Sequence, residues 1–184
     1  MDHYLDLKIL PDPEFPQQQL MSALFAKLHR GLHDLARSDI GVSFPEHGRN
    51  LGACLRVHGT VEALDRLFAL TWLNGMRDHL HIGDLSAVPD AVQFRRVSRV
   101  QVDSNPERAR RRLIRRHGID EEQARLRIPD EAARSSDLPF VTLRSNSSGQ
   151  AFRLFIRHGS LQRSPEPGRF SGYGLSAEAT IPWF

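Results

Sequence analysis

The feature of the sequence that most constrains the fold is a stripe of apolar residues between Gln17 and Ala36. Apolar side chains recur there every three or four positions, which predicts one long amphipathic helix with a single buried face. The stripe consists of Leu20, Met21, Leu24, Phe25, Leu28, Leu32 and Leu35.

Strand and helix signals alternate around this helix through the first ninety or so residues. HYLDLKIL precedes it and alternates as a strand, and IGVSF and ACLRVHG follow as two short strand candidates. Thr60 can cap a second helix, VEALDRLFAL, and a fourth strand candidate lies around Leu80 to Leu85. The order βαββαβ is that of a ferredoxin-like domain. We therefore expect an α+β protein with a ferredoxin-like domain over residues 1–94, a fold that hosts many functions.

The second half, residues 95–184, predicts a smaller α/β domain. FRRVSRVQV is a basic strand or extended linker, and DEEQARLRI is a short helix with Asp120 as its cap. FVTLRS and AFRLFIRH are expected to be two strands of a hairpin joined by the turn NSSGQ. FSGYGLS is expected to be a short strand that precedes the tail IPWF.

The segment SNPERARRRLIRRHG predicts a helix over about residues 105–117. Ser104 or Asn105 can cap it, Pro106 suits its first turn, and Gly118 can end it. At roughly 100° per residue, one face collects almost all the arginines, whereas Arg110 points elsewhere. The face consists of Arg108, Arg111, Arg112, Arg115 and Arg116.

This arginine face favours an anionic polymer as a partner over a merely solvated charged helix. A solvated helix interleaves acids with bases, whereas no acidic residue on this face relieves the repulsion. Residues 95–117 hold nine arginines against two acidic residues, which gives this segment a net charge of +7. The whole chain has a net charge of only +3, so the remaining residues carry about −4. A localised basic patch suits nucleic acid better than a membrane surface.

Cysteine and targeting signals restrict the protein class further. Cys54 is the only cysteine, so neither a disulfide framework nor a thiolate metal cage is possible. The start of the chain lacks the apolar core of a signal peptide, and no run approaches membrane-spanning length. We expect a soluble cytoplasmic protein that has no membrane partner.

The nine histidines raise the alternative of a metal site. His29 and His33 are four apart on the first helix, and His79 and His81 form an HxH pair, but no third ligand accompanies either pair. The chain also lacks a G-x-S-x-G elbow and a phosphate-binding glycine loop. We expect no metal and no cofactor. His29 lies at the margin of the leucine stripe, where a histidine can also serve simply to cover the edge of the core.

Several motifs in the same order resemble one known family. They are VSRVQ, SNPERARRRLIRRHG, PFVTLRSNSSGQAFRLFIRHG, YGLS and PWF, together with MDHYLDLKILPDPEFP and LMSALFAKLHR at the amino terminus. Together they resemble the type I-F CRISPR-associated endoribonuclease, which cuts precursor CRISPR RNA at its repeat hairpins. The resemblance covers nearly the whole chain. It implies a ferredoxin-like domain followed by a smaller domain that carries the arginine helix into an RNA groove.

The resemblance also implies roles for individual residues. His29 matches the general base, Ser145 the serine that holds the reacting ribose, and Tyr173 the tyrosine that orients the histidine. The serine assignment depends on its place directly after Arg144, and two further serines lie close by. The implied RNA-binding residues are Arg99, Gln101, Arg108, Arg111, Arg112, Arg115, Arg116, His117, Ser147, Ser148 and Phe152. Among them Arg99 and Gln101 match a pair that reads bases at the foot of the stem, and Phe152 matches an aromatic that stacks beneath the last base pair.

The implied reaction is cleavage without metal by the RNA's own 2′-hydroxyl, which leaves a 2′,3′-cyclic phosphate and a 5′-hydroxyl. The family resemblance further implies that the protein retains its product and joins the type I-F surveillance complex. A non-catalytic module that binds an RNA hairpin through the same arginine face is the main alternative. A DNA-binding regulator is a third.

Overall fold

The computed structural model describes residues 1–101, 106–127, 137–145 and 149–184, and for residues 106–109 it describes only the backbone. It shows an α+β protein, as expected. The helices are α1 (Gln17–Leu35), α2 (Val61–Ala69), α3 (Pro106–His117) and α4 (Glu121–Arg127), with a short 3₁₀ helix at Arg77–His79. The strands are β1 (His3–Ile9), β2 (Gly41–Ser43), β3 (Cys54–Gly59), β4 (Leu80–Ile82), β5 (Ser86–Ala87), β6 (Gln93–Arg95), β7 (Val97–Val100), β8 (Phe140–Arg144), β9 (Ala151–His158) and β10 (Ile181–Trp183).

The described residues form two compact units. The first comprises residues 1–100 together with 138–184, and the second comprises residues 101–137. This division does not coincide with the predicted boundary between residues 94 and 95, because strands from both ends of the chain pack in the first unit. None of the described helices has the length and apolar character needed to cross a membrane.

The largest sheet of the first unit has the strand order β2-β3-β1-β4, with β5 also paired to β1. All these pairings are antiparallel, and Leu7 lies opposite Leu55 in the central pair. The predicted order of strands and helices is confirmed as far as β4. Leu7 and Leu55 are fully buried beside Leu24 of α1 and Leu64 of α2, so both helices contribute to one core with the sheet.

Helix α1 is the predicted amphipathic helix. Its buried residues include six of the seven predicted members of the stripe, and Leu35 is partly buried against the same core. Ala36 follows in the left-handed conformation and donates its N–H to the carbonyls of Leu32 and His33, which ends the helix. At α2 the predicted cap is confirmed, because the Thr60 hydroxyl accepts from the Ala63 N–H at 3.2 Å.

The predicted hairpin FVTLRS/AFRLFIRH is also confirmed. It forms β8 and β9, which pair antiparallel from Phe140 opposite Phe155 to Arg144 opposite Ala151. β9 pairs in turn with β7, so the basic segment before α3 includes a strand. The resulting three-stranded sheet has the order β7-β9-β8, and its β8 edge packs against α1.

The prediction of a strand at FSGYGLS is wrong. Residues 171–174 form a turn instead, since Gly174 has a φ of 69° and donates its N–H to the Ser171 carbonyl at 2.8 Å. A left-handed backbone at this position does not continue a strand. The tail supplies the strand instead, because Ile181 to Trp183 form β10 and pair with β6.

The second unit contains α3 and α4. α3 ends as predicted at Gly118, which has a φ of 63° and donates its N–H to the Ile114 carbonyl at 2.8 Å. Asp120 caps α4 as predicted, because its carboxylate accepts from the Gln123 N–H at 2.7 Å. The proposed caps of α3, Ser104 and Asn105, lie outside the described residues.

The predicted arginine face of α3 agrees with the burial of its side chains. Arg110 is only 6 % exposed, whereas four members of the face are exposed, namely Arg111, Arg112, Arg115 and Arg116. The side chain of Arg108 lies outside the described part. α3 therefore buries the one arginine that the helical wheel places away from the others.

Candidate functional site

The first unit contains a cleft of about 1130 Å³ between α1 and β8. Four of the residues assigned through the family resemblance line it, and they come from α1, the β8–β9 hairpin and the turn at residues 171–174: His29, Ser145, Phe152 and Tyr173. The remaining lining residues are Pro16, Gln18, Gln19, Ser22, Ala23, Ala26, Arg30, Phe140, Thr142, Leu143 and Arg144. The fold thus brings the three proposed catalytic residues into one cavity.

His29 lies on the face of α1 beside the core and is half-buried, as its place at the margin of the leucine stripe predicts. Its Nδ1 lies 2.7 Å from the carbonyl oxygen of Gly172. A carbonyl can only accept, so Nδ1 carries the hydrogen and donates it. In the neutral ring the lone pair is therefore on Nε2, which is the nitrogen available to take a proton.

Tyr173 fixes the plane of the His29 ring by stacking on it. The two ring centroids are 3.9 Å apart with an angle of 17° between the planes. Phe25 is also parallel to the tyrosine ring, at a centroid distance of 6.2 Å and an angle of 3°. The Arg99 guanidinium lies 6.0 Å from the centroid of the Tyr173 ring, at the outer limit of a cation–π contact. The imidazole is therefore held by a hydrogen bond at one atom and by stacking across its face.

The turn that carries Gly172 and Tyr173 is itself anchored. The Ser171 hydroxyl donates to the Leu175 carbonyl at 2.9 Å, and the Gly174 carbonyl accepts from the Val42 N–H of β2 at 2.9 Å. A Cβ atom at Gly174 would come within 2.8 Å of the Val42 side chain, in addition to the strain of its positive φ. The sequence Ser-Gly-Tyr-Gly-Leu therefore folds as a tight turn that presents one carbonyl to His29.

Ser145 lies directly after β8, at the start of the hairpin turn. Its N–H donates to the Gln150 carbonyl at 2.9 Å and its carbonyl accepts from the Gly149 N–H at 2.8 Å, so its backbone is fixed at the end of the strand. The side chain is half-buried in the cleft wall. Ser147 and Ser148 lie outside the described residues, so the choice among the three serines stays a prediction.

A buried serine joins the two walls of the cleft. The Ser22 hydroxyl of α1 donates to the Gln18 carbonyl at 2.9 Å and accepts from the Thr142 N–H of β8 at 3.0 Å. Thr142 lies on an edge strand, so its N–H has no partner in a neighbouring strand, and the Ser22 hydroxyl is its acceptor instead. The bond sets the position of β8, and so of Ser145, along the helix that carries His29.

The other predicted RNA-binding residues lie elsewhere. Arg99 is exposed on β7, opposite Ile156. Gln101 is exposed at the first residue of the second unit. The described side chains assigned to α3 are exposed on that helix: Arg111, Arg112, Arg115, Arg116 and His117.

Sequence reasoning missed several residues of the cleft. Arg30 and Arg144 supply positive charge, and Gln18 and Gln19 supply amides at the opposite end of the α1 wall. For the two arginines, the only indication in the sequence was their position, because Arg30 directly follows His29 and Arg144 directly precedes Ser145. Among the described lining residues none is acidic. The charge of the cleft therefore suits an anionic ligand.

The histidine pairs considered as metal ligands do not form sites in the described part of the chain. His33 is 79 % exposed beside Asp34. His79 bonds to Asp12 at 2.9 Å, while His81 is exposed. Across the described ranges, no three His, Cys, Asp or Glu side chains converge as a metal site requires.

Two further histidines, the buried His58 and the half-buried His158, have inaccessible ring nitrogens and are not easily protonated. The ring of His158 stacks on that of His47 at 3.6 Å and 14°, and neither of its nitrogens has a hydrogen-bond partner. Burial lowers the pKa of His158 to about 3, with smaller contributions from His47 and Arg95. Burial also lowers the pKa of His58 to about 3, and its Nε2 lies 2.8 Å from the Ser43 hydroxyl.

The fold and the cleft define an α+β protein with an oriented histidine in a cleft that has no acidic side chain among its described lining residues. A family model described as "CRISPR-associated protein (Cas_Csy4)" matches residues 4–184. A "CRISPR-associated endonuclease Cas6/Csy4" of Pseudomonas aeruginosa (strain UCBPP-PA14) is 57 % identical over 187 residues, which cover 100 % of both chains. A protein of the same name from Escherichia coli (strain UTI89 / UPEC) is 52 % identical over 184 residues, again covering 100 % of both chains.

The chain therefore belongs to the Cas_Csy4 family of CRISPR-associated proteins and is an endonuclease. The family resemblance drawn from the sequence motifs is confirmed. Membership of an endonuclease family also sets aside the two alternatives without chemistry, the RNA-binding module and the DNA-binding regulator.

Proposed function

We propose that this endonuclease cuts precursor CRISPR RNA at the base of its repeat hairpin without a metal ion. The observation that carries the proposal is the 2.7 Å hydrogen bond from His29 Nδ1 to the Gly172 carbonyl. It leaves Nε2 as the basic nitrogen in a cleft that also contains Ser145. RNA brings its own nucleophile, so the protein has to supply a base and hold the reacting atoms in line.

In the proposed reaction, His29 Nε2 takes the proton of the 2′-hydroxyl next to the cut. The 2′-oxygen forms a bond to phosphorus while the bond from phosphorus to the 5′-oxygen breaks. The leaving 5′-oxygen takes a proton from water, and His29 returns its own proton to the solvent, so the products are a 2′,3′-cyclic phosphate and a 5′-hydroxyl. Ser145 holds the reacting ribose, and Tyr173 keeps the imidazole ring in its plane.

The proposed recognition of the hairpin uses residues outside the reacting centre. Arg99 and Gln101 read bases at the foot of the stem, and Phe152 stacks beneath the last base pair. The groove of the stem is bound by the charged face of α3 through Arg108, Arg111, Arg112, Arg115, Arg116 and His117, and the turn between β8 and β9 adds Ser147 and Ser148. The exposure of the described arginines supports this role, because guanidinium groups fork onto phosphate and guanine.

We also propose that residues 1–94 form a ferredoxin-like domain and residues 95–184 an RNA-binding domain. The antiparallel strand order β2-β3-β1-β4 and the two helices α1 and α2 support the first assignment. We further propose that the cytoplasmic protein retains its cleaved hairpin and joins the type I-F surveillance complex.

The test is cleavage of a labelled repeat hairpin in EDTA by three proteins: the wild type, His29→Ala and His33→Ala. His33 is the matched control, because it lies on the same helix one turn away and is exposed. We expect His29→Ala to lose cleavage by roughly 10²–10⁴-fold and to keep its affinity for the hairpin, because a general base acts mainly in the transition state. His33→Ala should behave as the wild type.

Three outcomes would contradict the proposal. One is a requirement for divalent metal, and another is cleavage of a hairpin that carries a single 2′-deoxy sugar at the cut. The third is an equal loss of cleavage in the two histidine variants. Alanine variants of Ser145, Ser147 and Ser148 test the serine assignment separately, since only the one that holds the ribose should lower cleavage without lowering affinity.

A further inference from the structure

The orientation of the His29 ring depends on more than one hydrogen bond. The bond from Nδ1 to the Gly172 carbonyl holds one atom of the ring at 2.7 Å. Hydrogen bonds accept a broad range of angles at a carbonyl oxygen, so this bond by itself fixes the plane of the imidazole only loosely. The plane is restricted further by Tyr173, whose ring stacks on the imidazole at 3.9 Å and 17°. The precision with which His29 is held therefore depends on what holds Tyr173.

Polar contacts do not fix the plane of the Tyr173 ring. Among the described residues Tyr173 makes one hydrogen bond, which runs from its backbone N–H to the Ser171 hydroxyl at 3.4 Å and so holds the main chain rather than the ring. The Arg99 guanidinium is 6.0 Å from the ring centroid, at the outer limit of a cation–π contact. The plane of the tyrosine ring therefore comes from packing against apolar neighbours.

Phe25 of α1 supplies this packing. Its ring is parallel to the Tyr173 ring, with an angle of 3° between the planes and a centroid distance of 6.2 Å. The distance lies within the roughly 4.5–7 Å at which offset-stacked aromatic pairs attract each other. Phe25 and His29 are four residues apart on α1, so they lie on the same face of the helix one turn apart. Tyr173 is thus parallel to two side chains on consecutive turns of α1.

Phe25 is itself fixed in the core. It is only 1 % exposed, and its ring centroid is 6.0 Å from that of the fully buried Phe44. Close packing restricts a ring in the interior more than it restricts Tyr173, which is half-buried. Phe25 is not among the described residues that line the cleft. It can therefore pass the order of the core to Tyr173 without touching a ligand in the cleft.

We propose that Phe25 is a positioning residue: it holds the plane of the Tyr173 ring, and Tyr173 in turn holds the imidazole of His29 for the reaction. The proposal rests on the RNA-cutting function proposed above and adds a residue of the core to it. A buried phenylalanine in a leucine stripe could otherwise serve only to stabilise the fold. A residue that only stabilises changes the fraction of folded protein, whereas a positioning residue changes the state of His29 in protein that is fully folded.

The experiment compares Phe25→Leu with the matched control Leu64→Ala. The two substitutions remove the same number of carbon atoms from side chains that are each 1 % exposed. Leu64 lies on α2 and is not among the described residues of the cleft lining. Both variants should lose stability, because each substitution leaves a cavity in the core. All measurements are made at a temperature at which circular dichroism shows both variants to be folded, so Leu64→Ala controls for a general loosening of the core.

Two readouts separate positioning from stability. The first is the ¹⁵N NMR spectrum of the histidine rings in the RNA-free protein, in which the His29 signals are assigned by their loss in His29→Ala. The wild type should carry the hydrogen on Nδ1, as the bond to Gly172 requires, whereas Phe25→Leu should show a mixture of the two tautomers. The second is the single-turnover rate of hairpin cleavage in EDTA, which should fall about 10²-fold in Phe25→Leu, the cost of a misplacement of about 1 Å. Affinity for a hairpin with a 2′-deoxy sugar at the cut should not change.

Equal effects of Phe25→Leu and Leu64→Ala on either readout overturn the proposal, because Phe25 would then act only through stability. A wild-type His29 spectrum in Phe25→Leu also overturns it, and so does an altered spectrum with an undiminished cleavage rate. If the wild type fails to cleave in EDTA while Phe25→Leu alone alters the His29 spectrum, the proposed reaction is refuted and the positioning of His29 through Phe25 is supported.

Discussion

The free energy of unfolding should fall steeply between pH 7 and pH 5, because two histidines with inaccessible ring nitrogens cannot be protonated in the folded protein without cost. Burial lowers the pKa of both His58 and His158 to about 3, against about 6.5 in an unfolded chain. The unfolded state therefore binds more protons, so this part of the stability is complete above about pH 6.5 and is lost as the pH falls toward 3.

The size of the effect follows from the two pKa values. At pH 5 an unfolded histidine is mostly protonated while a folded one with a pKa of about 3 is neutral. Between pH 7 and pH 5, the free energy of unfolding should therefore fall by about 2 kcal/mol for each histidine, or about 4 kcal/mol for both. Against a typical stability of about 5–15 kcal/mol, the loss is easily measured.

The assay is urea unfolding of the RNA-free protein at pH 7, 6 and 5, followed by tryptophan fluorescence and circular dichroism. His158→Phe keeps an aromatic ring to stack on His47 and removes one titrating group, so the drop should shrink to about 2 kcal/mol. His33→Gln is the control, because His33 is 79 % exposed and should leave the drop unchanged. Equal stability at pH 7 and pH 5, or a full drop in His158→Phe, would refute the reasoning.

Two further predictions concern the cleft walls and the arginine helix. Ser22→Ala leaves the Thr142 N–H without its partner, so the free energy of unfolding in urea should fall by about 1–3 kcal/mol. Arg112→Ala and Arg116→Ala should each weaken hairpin binding by roughly 1–3 kcal/mol for a bidentate base contact. Each should also reduce the slope of affinity against salt by about one unit per lost phosphate contact. Arg110→Ala should leave that slope unchanged and lower stability instead, because Arg110 is only 6 % exposed.

Specific outcomes would contradict these two predictions. Ser160→Ala is the control, because Ser160 is exposed. If Ser22→Ala is as stable as this control, the hydrogen bond between Ser22 and Thr142 contributes nothing to the free energy of unfolding. A salt slope that changes as much in Arg110→Ala as in Arg112→Ala would mean that α3 does not present one face to RNA.

The parts of the fold that the sequence predicts well are those fixed by neighbours in the chain. The leucine stripe predicts the end of α1 to within one residue. Thr60 and Asp120 cap their helices by accepting hydrogen bonds from N–H groups three residues further along the chain. The wheel of α3 also separates Arg110 from the other arginines. All these features depend on local geometry, which periodicity reports directly.

The parts that sequence patterns miss depend on contacts between distant segments. The segment FSGYGLS has the apolar content of a strand, yet the left-handed Gly174 and its bond to Val42 make it a turn. His29 and Gly172 are 143 positions apart, so no spacing rule places them together. The surroundings of His158 likewise come from distant segments, because His47 in the loop after β2 and Trp183 of β10 both contact its ring. Family resemblance supplied the proposed site residues, and the fold shows that four of them line one cleft.

His29 is oriented by a main-chain carbonyl, that of Gly172, so its hydrogen-bond partner carries no net charge. A carboxylate in the place of the Gly172 carbonyl would orient the ring equally well, but it would add a full negative charge beside a substrate made of phosphates. A carbonyl gives direction with only a partial charge. It also exists whatever side chain stands at position 172, where an added Cβ would make only ordinary contact with His29 at 3.6 Å. The orientation of the His29 ring is therefore sensitive to the residues that shape the turn, Ser171 and Gly174, and tolerant at the residue that makes the bond.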